Sequence, residues 1–500
     1  MSLLASFAIG KHYRFLSACV LVGAALSGCG GSSSGDDSAA SSVSSAVSSS
    51  SVVASSLASS STSVVASSSV PAVSSVSSSN ASAAVSSAVS SSSLSASLSS
   101  ESSSSTSSSS ANLVSQKRGL AYGYHSLNDL AVMQGKVSWW YNWAVTPESA
   151  VRDYYEDYDV DFVPMVWNGA FNETALREFL DEHPSAKYLL GFNEPNFAEQ
   201  ANLTPQQAAD LWPQLEAIAD DYNLKLVAPA VNYSPGNVDI PGTDDDWSPW
   251  EYLDAFFEAC EGCRVDYIAV HCYMKYAGAF EWFIGEFERY DRPIWVTEWA
   301  SWDEGGPANV GEQMDYLAST VRWMEANPNV YRYSWFIGRT DGGPSAFPYI
   351  DILAGDGQLS PLGGLYTAIP AEDYRHTLPG RIEAEGAHSQ INFTHRATAD
   401  TSGYVDLVAA NNATAEFKAH VTQAGNYQLS LRVASAEPHP ELRVLLDDAP
   451  LVTLNNIQTG GEQVWQTLSA NITLSAGNHS LQLEIPTANL AINWLEVSPL

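Results

Sequence analysis

The stretch Tyr-Leu-Leu-Gly-Phe-Asn-Glu-Pro-Asn, residues 188–196, decides the fold of this chain. An apolar run of strand length ends there in Glu194. The stretch Pro-Ile-Trp-Val-Thr-Glu-Trp, residues 293–299, repeats the arrangement and places Glu298 at the end of a second apolar run. An ionised carboxyl group among apolar neighbours must be paired or neutralised. The two glutamates are therefore predicted to be functional residues and not ordinary core residues.

Six further β-rich runs accompany these two, and segments compatible with helices separate them. In chain order the eight runs are 118–124, 137–143, 162–167, 187–192, 224–232, 267–273, 293–299 and 330–336. The segment 309–326, which joins the last two, has apolar residues near helical spacing. Eight strands alternating with helices over about 250 residues predict an α/β fold, a (β/α)8 TIM barrel over residues 112–375.

On such a barrel Glu194 ends strand four and Glu298 ends strand seven, so both lie at the carboxyl-end rim, where barrel enzymes carry their chemistry. Two facing carboxyl groups are what glycoside hydrolysis requires. One protonates the leaving oxygen, and the other attacks the anomeric carbon or activates water. We expect burial and the charge of Glu298 to raise the pKa of Glu194, while Glu298 stays ionised. Retention predicts a separation of roughly 5–5.5 Å, against about 6.5–9.5 Å for inversion.

Aromatic and polar side chains at the same strand ends are candidates for binding sugar, because pyranose C–H faces stack on indole and hydroxyls bond to amides, imidazoles and phenols. The substrate-binding candidates from this chemistry are Trp167, Asn168, His271, Tyr273, Trp299 and Trp335. Trp335 is the preferred platform, because it ends strand eight beside strand one. The alternative for His271 is a core histidine with satisfied hydrogen bonds. Strand side chains alternate in direction, so roughly half of the rim tryptophans are expected to pack outward.

Residues 380–500 show short alternating strands without a helical pattern. Ala-Gly-Asn at 424–426 and again at 476–478 marks turns between them. About 120 residues of this kind predict an antiparallel β-sandwich, jelly-roll-like in form.

The N-terminal segment predicts an exported lipoprotein. Residues 1–28 carry Lys11 and Arg14, then an apolar stretch, and they precede Cys29, which would receive lipid. An ordinary signal peptide with an incidental cysteine is the alternative. Gly30 after the cysteine favours the outer membrane, with the protein exposed at the cell surface or secreted. The Ser-rich residues 29–111 are expected to be a disordered linker.

Charge and cysteine usage restrict the partners. The formal net charge of −34 argues against nucleic acid and anionic membrane surfaces, whereas neutral polysaccharide carries no such penalty. We expect a monomer that contacts the membrane only through its lipid, with no catalytic cofactor. In an exported protein the CxxC of Cys260 and Cys263 predicts a local disulfide, and Cys272 is expected to be a small buried residue.

The sequence also resembles a known family, which adds to the predictions made from the residues alone. Asn193-Glu194-Pro195 and Thr297-Glu298-Trp299 resemble the retaining (β/α)8 glycosidases. More narrowly, residues 118–372 are similar to glycoside hydrolase family 128, through Leu-Gly-Phe-Asn-Glu-Pro-Asn, Val-Ala-Pro-Ala, Ala-Val-His-Cys-Tyr and Tyr-Ser-Trp-Phe. The resemblance implies that Glu194 is the acid/base, Glu298 the nucleophile, Asn193 a ligand of the 2-hydroxyl group and Tyr273 a support for the nucleophile. It also implies endo-cleavage of a laminarin- or curdlan-like β-1,3-glucan.

The C-terminal segment resembles carbohydrate-binding module family 6, through Ile-Glu-Ala-Glu, Thr-Gly-Gly and Asn-Trp motifs. The resemblance implies that Tyr404 grips sugar in a loop site and that Glu383 and Glu385 bind a structural Ca²⁺. A solvated strand face is the alternative for the two glutamates. Glu462 stands where the family has a stacking tryptophan, and Ala491 where it has an asparagine. The loop site is therefore lost, moved or altered.

Two other functions stay open at this stage. The same glutamates could serve a retaining hydrolase of another β-linked polysaccharide, such as a β-1,4-linked glucan, mannan or xylan. A non-catalytic surface polysaccharide-binding protein is the second alternative. A cleft used only for binding gains little from two facing carboxylates, which favours an enzyme.

Overall fold

The computed structural model describes residues 114–123, 126–244, 246–303, 306–340 and 349–500. The predicted signal peptide, Cys29 and the predicted linker lie outside these ranges. Among the helices within them, none has both the length and the apolar character needed to cross a bilayer.

Within the described ranges, eight parallel strands and seven α-helices form the N-terminal part. The strands are β1 (Arg118–Ala121), β2 (Trp139–Tyr141), β3 (Asp161–Phe162), β4 (Tyr188–Leu190), β5 (Lys225–Val231), β6 (Tyr267–Cys272), β7 (Ile294–Trp299) and β8 (Val330–Trp335). The helices are α1 (Leu127–Met133), α2 (Glu173–Glu182), α3 (Pro205–Tyr222), α4 (Pro249–Ala259), α5 (Ala277–Glu286), α6 (Val310–Ala326) and α7 (Pro361–Ala368). All eight predicted strands are present, and the predicted α/β class is confirmed.

The sheet curls round on itself in the order β3-β2-β1-β8-β7-β6-β5-β4. A single bridge between Met165 and Leu190 joins its two ends. The third strand is shorter than the predicted 162–167. Pro164 has no N–H for a ladder bond, although its carbonyl accepts from the amide of Leu190 at 3.0 Å. The curled sheet brings the ends of β4 and β7 to one rim.

Capping residues begin the helices that follow the rim loops. The hydroxyl of Thr204 accepts from the amide of Gln207, whose side chain bonds back to the amide of Thr204, and Pro205 opens α3. Ser248 before α4 and Asn309 before α6 cap in the same way. These caps mark where the helices begin. The predicted helical segment 309–326 agrees closely with α6 (Val310–Ala326).

Strand alternation separates two apolar layers. Inward side chains such as Trp139, Tyr141 and Trp295 fill the barrel interior. Outward side chains such as Trp140 and Trp299 pack with the helices in the larger core. Cys260 and Cys263 form the predicted disulfide in the turn after α4, and Cys272 is buried without a disulfide, as expected.

Ten strands form the C-terminal module. They are β9 (His376–Leu378), β10 (Gly380–Glu383), β11 (Ser389–Ala397), β12 (Val405–Val421), β13 (Gly425–Ser435), β14 (His439–Leu446), β15 (Ala449–Ile457), β16 (Gly461–Leu474), β17 (Gly477–Ile485) and β18 (Ala491–Pro499). Pairing is antiparallel apart from β9 on β12. The long β12 pairs with β17 through one part and with β18 through another, enclosing a separate apolar core. The predicted antiparallel β fold is confirmed.

The module packs directly on α6 and α7. Asp315 on α6 accepts from the backbone amide of His395 at 2.9 Å and pairs with its Nδ1 at 2.7 Å. Arg322 farther along α6 donates to the carbonyl of Ala387 at 3.2 Å. A Cβ atom on Gly364 of α7 would lie 2.3 Å from the Cβ of Tyr404, so that glycine is required by the close approach. The barrel and the module therefore contact each other through specific hydrogen bonds and close packing.

Candidate active site

Glu194 lies just beyond β4, where the chain still pairs with β5. Asn193 bridges to Ala230, and the Glu194 amide donates to the Ala230 carbonyl at 2.9 Å. The φ of Glu194 is +40°, a left-handed value that costs a non-glycine residue free energy. Strain of this kind persists where surrounding bonds fix the backbone, and here they hold the carboxyl group at the rim.

Glu298 on β7 is held by three neutral donors. The Tyr141 hydroxyl and the Trp143 indole N–H bond to its Oε1 at 3.0 and 2.7 Å, and the Tyr273 hydroxyl bonds to Oε2. Burial, followed by the charge of Glu298, raises the pKa of both tyrosines well above the usual value. The tyrosines therefore remain donors across the working pH range.

His271 on β6 lies between the two carboxyl groups. Its Nδ1 is 2.9 Å from Glu194 Oε1 and 3.3 Å from Glu298 Oε2. Burial lowers the pKa of His271, but Glu298 and Glu194 outweigh burial, so that the net pKa is raised. The ring is fully buried, and its Nδ1 faces the two acids. It is not an ordinary core histidine, because both its neighbours are the candidate catalytic acids.

The three groups form one compact cluster. An oxygen of Glu194, an oxygen of Glu298 and a nitrogen of His271 all lie within 4.8 Å of one another. Burial raises the pKa of Glu298; the nearby Glu194 adds to this, while His271, Tyr273 and Trp143 oppose it.

The same spacing would suit ligands of a metal ion, but the other contacts of Glu298 favour a proton-sharing cluster. Phenol and indole donors already occupy both of its oxygens, and an indole N–H can only donate. Carboxylates that bind metal have their lone pairs directed at the ion. The arrangement can move a proton between Glu194 and a bound group while Glu298 stays oriented.

Two asparagines border Glu194. Asn193 is buried, and its amide donates to Gln200 at 3.3 Å; within the described chain its Oδ1 has no hydrogen-bond partner. An unpaired amide oxygen beside the carboxyl pair suits a sugar hydroxyl. Asn232, after β5, approaches Glu194 Oε1 at 3.5 Å. Sequence reasoning missed Asn232, although its position at a strand end was the available signal.

Two tryptophans predicted to bind substrate do not reach the cleft. Trp299 and Trp335 are fully buried and pack at right angles with ring centroids 4.4 Å apart. The Trp335 indole donates to the Ile350 carbonyl at 2.8 Å. Both predictions are wrong because each side chain points outward from its strand. Trp167 and Asn168 are partly exposed at the rim, and Asn168 Oδ1 accepts from the amide of Ala170 at 2.9 Å.

The aromatic wall beside Glu298 comes instead from rim loops. Phe336 lies parallel to Trp302 with centroids 6.2 Å apart, and it meets Trp143 and Tyr273 edge-on at 5.9 and 5.6 Å. All four rings are partly exposed. Trp302 was missed in the sequence, and its position three residues beyond the end of β7 was the available signal.

The module's candidate loop site is only partly assembled. Tyr404 is exposed but packs its base against Gly364 of the barrel. Glu462 is exposed, and Ala491 is buried. Trp465 is partly exposed on β16, with its indole donating to Gln463 at 3.3 Å.

The two module glutamates differ in their surroundings. Glu383 pairs with Arg381 at 2.8 Å. Glu385 is buried, and its Oε2 has no hydrogen-bond partner among the described residues. Burial, then the charges of Glu383 and Asp406, raise the pKa of Glu385 well above its usual value. A buried, unpaired carboxylate oxygen near other acids fits a divalent cation such as Ca²⁺.

A curled parallel barrel with two carboxyl groups facing each other at its carboxyl-end rim defines a glycoside hydrolase. Residues 119–366 match the family model described as glycosyl hydrolase catalytic core. Residues 383–499 match the model described as carbohydrate binding module (family 6).

Solved structures of similar proteins are also glycoside hydrolases. An endo-β-1,3-glucanase of glycoside hydrolase family 128, subgroup II, from Sorangium cellulosum is 42% identical; the match covers 51% of this chain and 99% of that one, with a TM-score of 0.44. A subgroup II enzyme from Pseudomonas viridiflava is 37% identical over 51% of this chain and 98% of that one, with a TM-score of 0.46. On sequence identity over nearly their whole length, the chain belongs to glycoside hydrolase family 128.

A curated relative is longer. Alkali-sensitive linkage protein 1 of Schizosaccharomyces pombe is 32% identical over 266 residues, which are 51% of this chain. The chain spans 44% of the length of that protein.

Proposed function

We propose that this chain is a retaining endo-β-1,3-glucanase that acts through Glu194 and Glu298. The observation that carries the proposal is the close pairing of the two carboxyl groups, with oxygens within 4.8 Å. The closeness of this oxygen pair favours the short carboxyl spacing of retaining enzymes over the wider spacing of inverting ones. The relatives from Sorangium and Pseudomonas are both endo-β-1,3-glucanases, and they support the linkage and the endo-action proposed here.

In the first step Glu194 gives its proton to the glycosidic oxygen while an oxygen of Glu298 attacks the anomeric carbon. The C–O bond to the leaving sugar breaks, and an ester forms between Glu298 and the sugar. Tyr141, Trp143 and Tyr273 hold Glu298 in position for the attack through their bonds to its oxygens. Asn193, whose Oδ1 is free to accept, bonds to the 2-hydroxyl group.

In the second step Glu194, now ionised, removes a proton from water, and the water oxygen displaces Glu298 from the anomeric carbon. Glu194 regains its proton, and Glu298 leaves as a carboxylate. Its charge is stabilised by the neighbouring His271, whose own pKa is raised by both glutamates. His271 thus offsets the negative charge of the glutamate that is ionised at each step.

A polysaccharide-binding protein without activity is less well supported. Binding sugar needs aromatic faces and hydrogen bonds, and it does not need a histidine bridging two buried acids 2.9 and 3.3 Å away. Removing charged groups from water costs free energy, and buried acids with perturbed pKa values cluster at catalytic sites.

The remaining parts receive supporting roles. We propose that the module adds contact with insoluble glucan and that Glu385, with Glu383, holds a structural Ca²⁺. The N-terminal segment would tether the enzyme to the outer membrane through lipid on Cys29.

The test is reducing-sugar release from laminarin, curdlan, lichenan, cellulose, xylan and mannan by the whole chain and its Glu298→Ala variant. Cleavage confined to the β-1,3-linked substrates and lost in the variant is expected. Proton NMR of the first product should show the β anomer before mutarotation. An α product would rule out retention, and silence on every substrate from folded protein would favour the binding-protein alternative.

A further inference from the structure

A second aromatic surface lies at the catalytic end of the barrel, apart from the rings that line Glu298. Tyr233 and Trp247 stack with centroids 5.3 Å apart and planes inclined by 28°. Trp250 meets Tyr233 edge-on at 5.4 Å, and Trp282 meets Trp250 at 6.3 Å. We call these four residues the shoulder.

The shoulder belongs to the carboxyl end of the barrel. Trp247 immediately precedes Ser248, the cap of α4, while Trp250 lies in the first turn of that helix and Trp282 in the second turn of α5. Barrel helices begin near the ends of the strands before them, so these rings lie at the rim that carries the catalytic pair. Tyr233 directly follows Asn232, the residue that approaches Glu194 at 3.5 Å.

The shoulder is built to stay exposed. Trp247 and Trp282 leave 40% and 52% of their surface in water, which is unfavourable for indole. Phe283 packs against Tyr233 with ring centroids 5.3 Å apart. The backbone amide of Ser234 donates to the carbonyl of Trp247 at 3.1 Å, which holds the Trp247 backbone in place. Rigidly supported, exposed rings offer a flat surface at little entropic cost.

The chemistry of the pair indicates which ligand suits this surface. Glu194 protonates the leaving oxygen, so the sugars beyond Glu194 are those that depart in the first step. Along the chain the shoulder begins at Tyr233, directly after Asn232, which approaches Glu194, whereas Trp143, Tyr273 and Phe336 form the rings beside Glu298. A net charge of −34 disfavours a polyanion, and uncharged pyranose rings stack on indole.

We propose that the shoulder binds the leaving portion of the β-glucan chain, with Trp247 and Trp282 as its sugar platforms. This assignment rests on the proposed function. It predicts that the shoulder contributes to cleavage of polymers and contributes nothing when the leaving group is too short to reach it.

The experiment compares two substrates in the full chain. One is soluble laminarin, and the other is a 4-nitrophenyl laminari-oligosaccharide, whose leaving group is a single ring. Trp247→Ala and Trp282→Ala should each lower kcat/KM on laminarin about three- to tenfold, as expected for one stacking contact, and the double variant should lose more. The nitrophenyl substrate should be cleaved at the wild-type rate. Trp282→Phe should recover part of the loss.

Tyr154→Ala is the matched control, because Tyr154 is an exposed aromatic residue near the start of β3, away from the rim. Melting temperatures show whether each variant folds. Equal losses on both substrates, or no loss on either with an active wild-type enzyme, would overturn the assignment alone. A folded wild-type chain that cleaves no β-1,3-glucan would refute the proposed function and the leaving-side assignment with it.

Discussion

The barrel and the module each contain a pair of glutamates, and the two pairs are surrounded differently. At the barrel rim, Glu194 and Glu298 share a histidine, and neutral hydroxyl and indole groups donate to Glu298. In the module, Glu383 pairs with an arginine, while an oxygen of Glu385 has no partner in the described structure.

Burial raises the pKa of Glu298 and of Glu385 alike, so burial alone does not distinguish the sites. The partners do. A carboxyl group held by neutral donors can change its charge during a reaction without losing its orientation. A carboxyl group with an unpaired buried oxygen needs a cation or a proton. The partners of buried acids, more than their depth, thus separate a catalytic role from a metal-binding one.

The largest effect should come from Glu298→Gln. The amide keeps the shape of the side chain but cannot form the ester intermediate, so kcat on laminarin should fall at least about a thousandfold. Reducing-sugar assays measure the loss. Glu199→Gln alters an exposed carboxylate that bonds to Asn237 and should leave kcat unchanged. Near-normal activity in Glu298→Gln would place Glu298 outside the chemistry.

For Glu383 and Glu385 in the module, the expected effect is a change of thermal stability with Ca²⁺. Ca²⁺ at a hundred times its Kd should stabilise the folded chain by about 2.7 kcal/mol, seen as a higher Tm that EDTA reverses. Glu385→Gln should abolish this dependence and leave kcat on soluble laminarin intact. Glu437→Gln, on an exposed loop, is the control. Identical melting of the wild type with Ca²⁺ and with EDTA would contradict a cation site.

Tyr273→Phe should give a smaller, pH-dependent effect. The Tyr273 hydroxyl lowers the pKa of Glu298, so its removal should raise that pKa further. Glu298 must be ionised to attack, so activity is lost as pH falls through its pKa. The acid limb of the kcat/KM profile should therefore move to higher pH, with a loss of about tenfold on that limb. Tyr276→Phe, an exposed neighbour, should not move it. An acid limb moved to lower pH would contradict the role given to Tyr273.

The smallest effect should follow Arg381→Gln. Arg381 neutralises Glu383 through a partly exposed ion pair of modest strength. Without it Glu383 is free to bind a cation, and calorimetric titration should show Ca²⁺ affinity increased up to about fivefold. Weaker affinity would mean that Arg381 organises the site instead of competing for it.

The sequence was sufficient for the features that local patterns encode. Apolar runs located the strands, helical spacing located α6, and the polar ends of β4 and β7 identified Glu194 and Glu298. Strand alternation could also have corrected one error. If Glu298 points inward, its neighbour Trp299 must point outward, as it does. Trp335, buried beside Trp299, was misjudged in the same way.

Other features depend on contacts between distant parts of the chain. Tyr141 and Trp143 bond to Glu298 across more than 150 residues, so no local pattern marks them. His271 was located correctly, but its place between both acids follows from the closure of the barrel. Charge states depend on those partners as well, so the raised pKa of Glu298 follows from the fold and not from a local pattern.

The glycine at 364 bears on how this protein can evolve and be engineered. Modules joined by loose linkers can be exchanged between enzymes, because neither partner depends on the other's surface. Here Tyr404 lies against a helix position where even a methyl group would collide with it. A transplanted module would meet α7 with different loops, and a transplanted barrel would need a glycine at the same point. The two parts are therefore expected to be inherited together, and chimeras should be designed to exchange them as a single block.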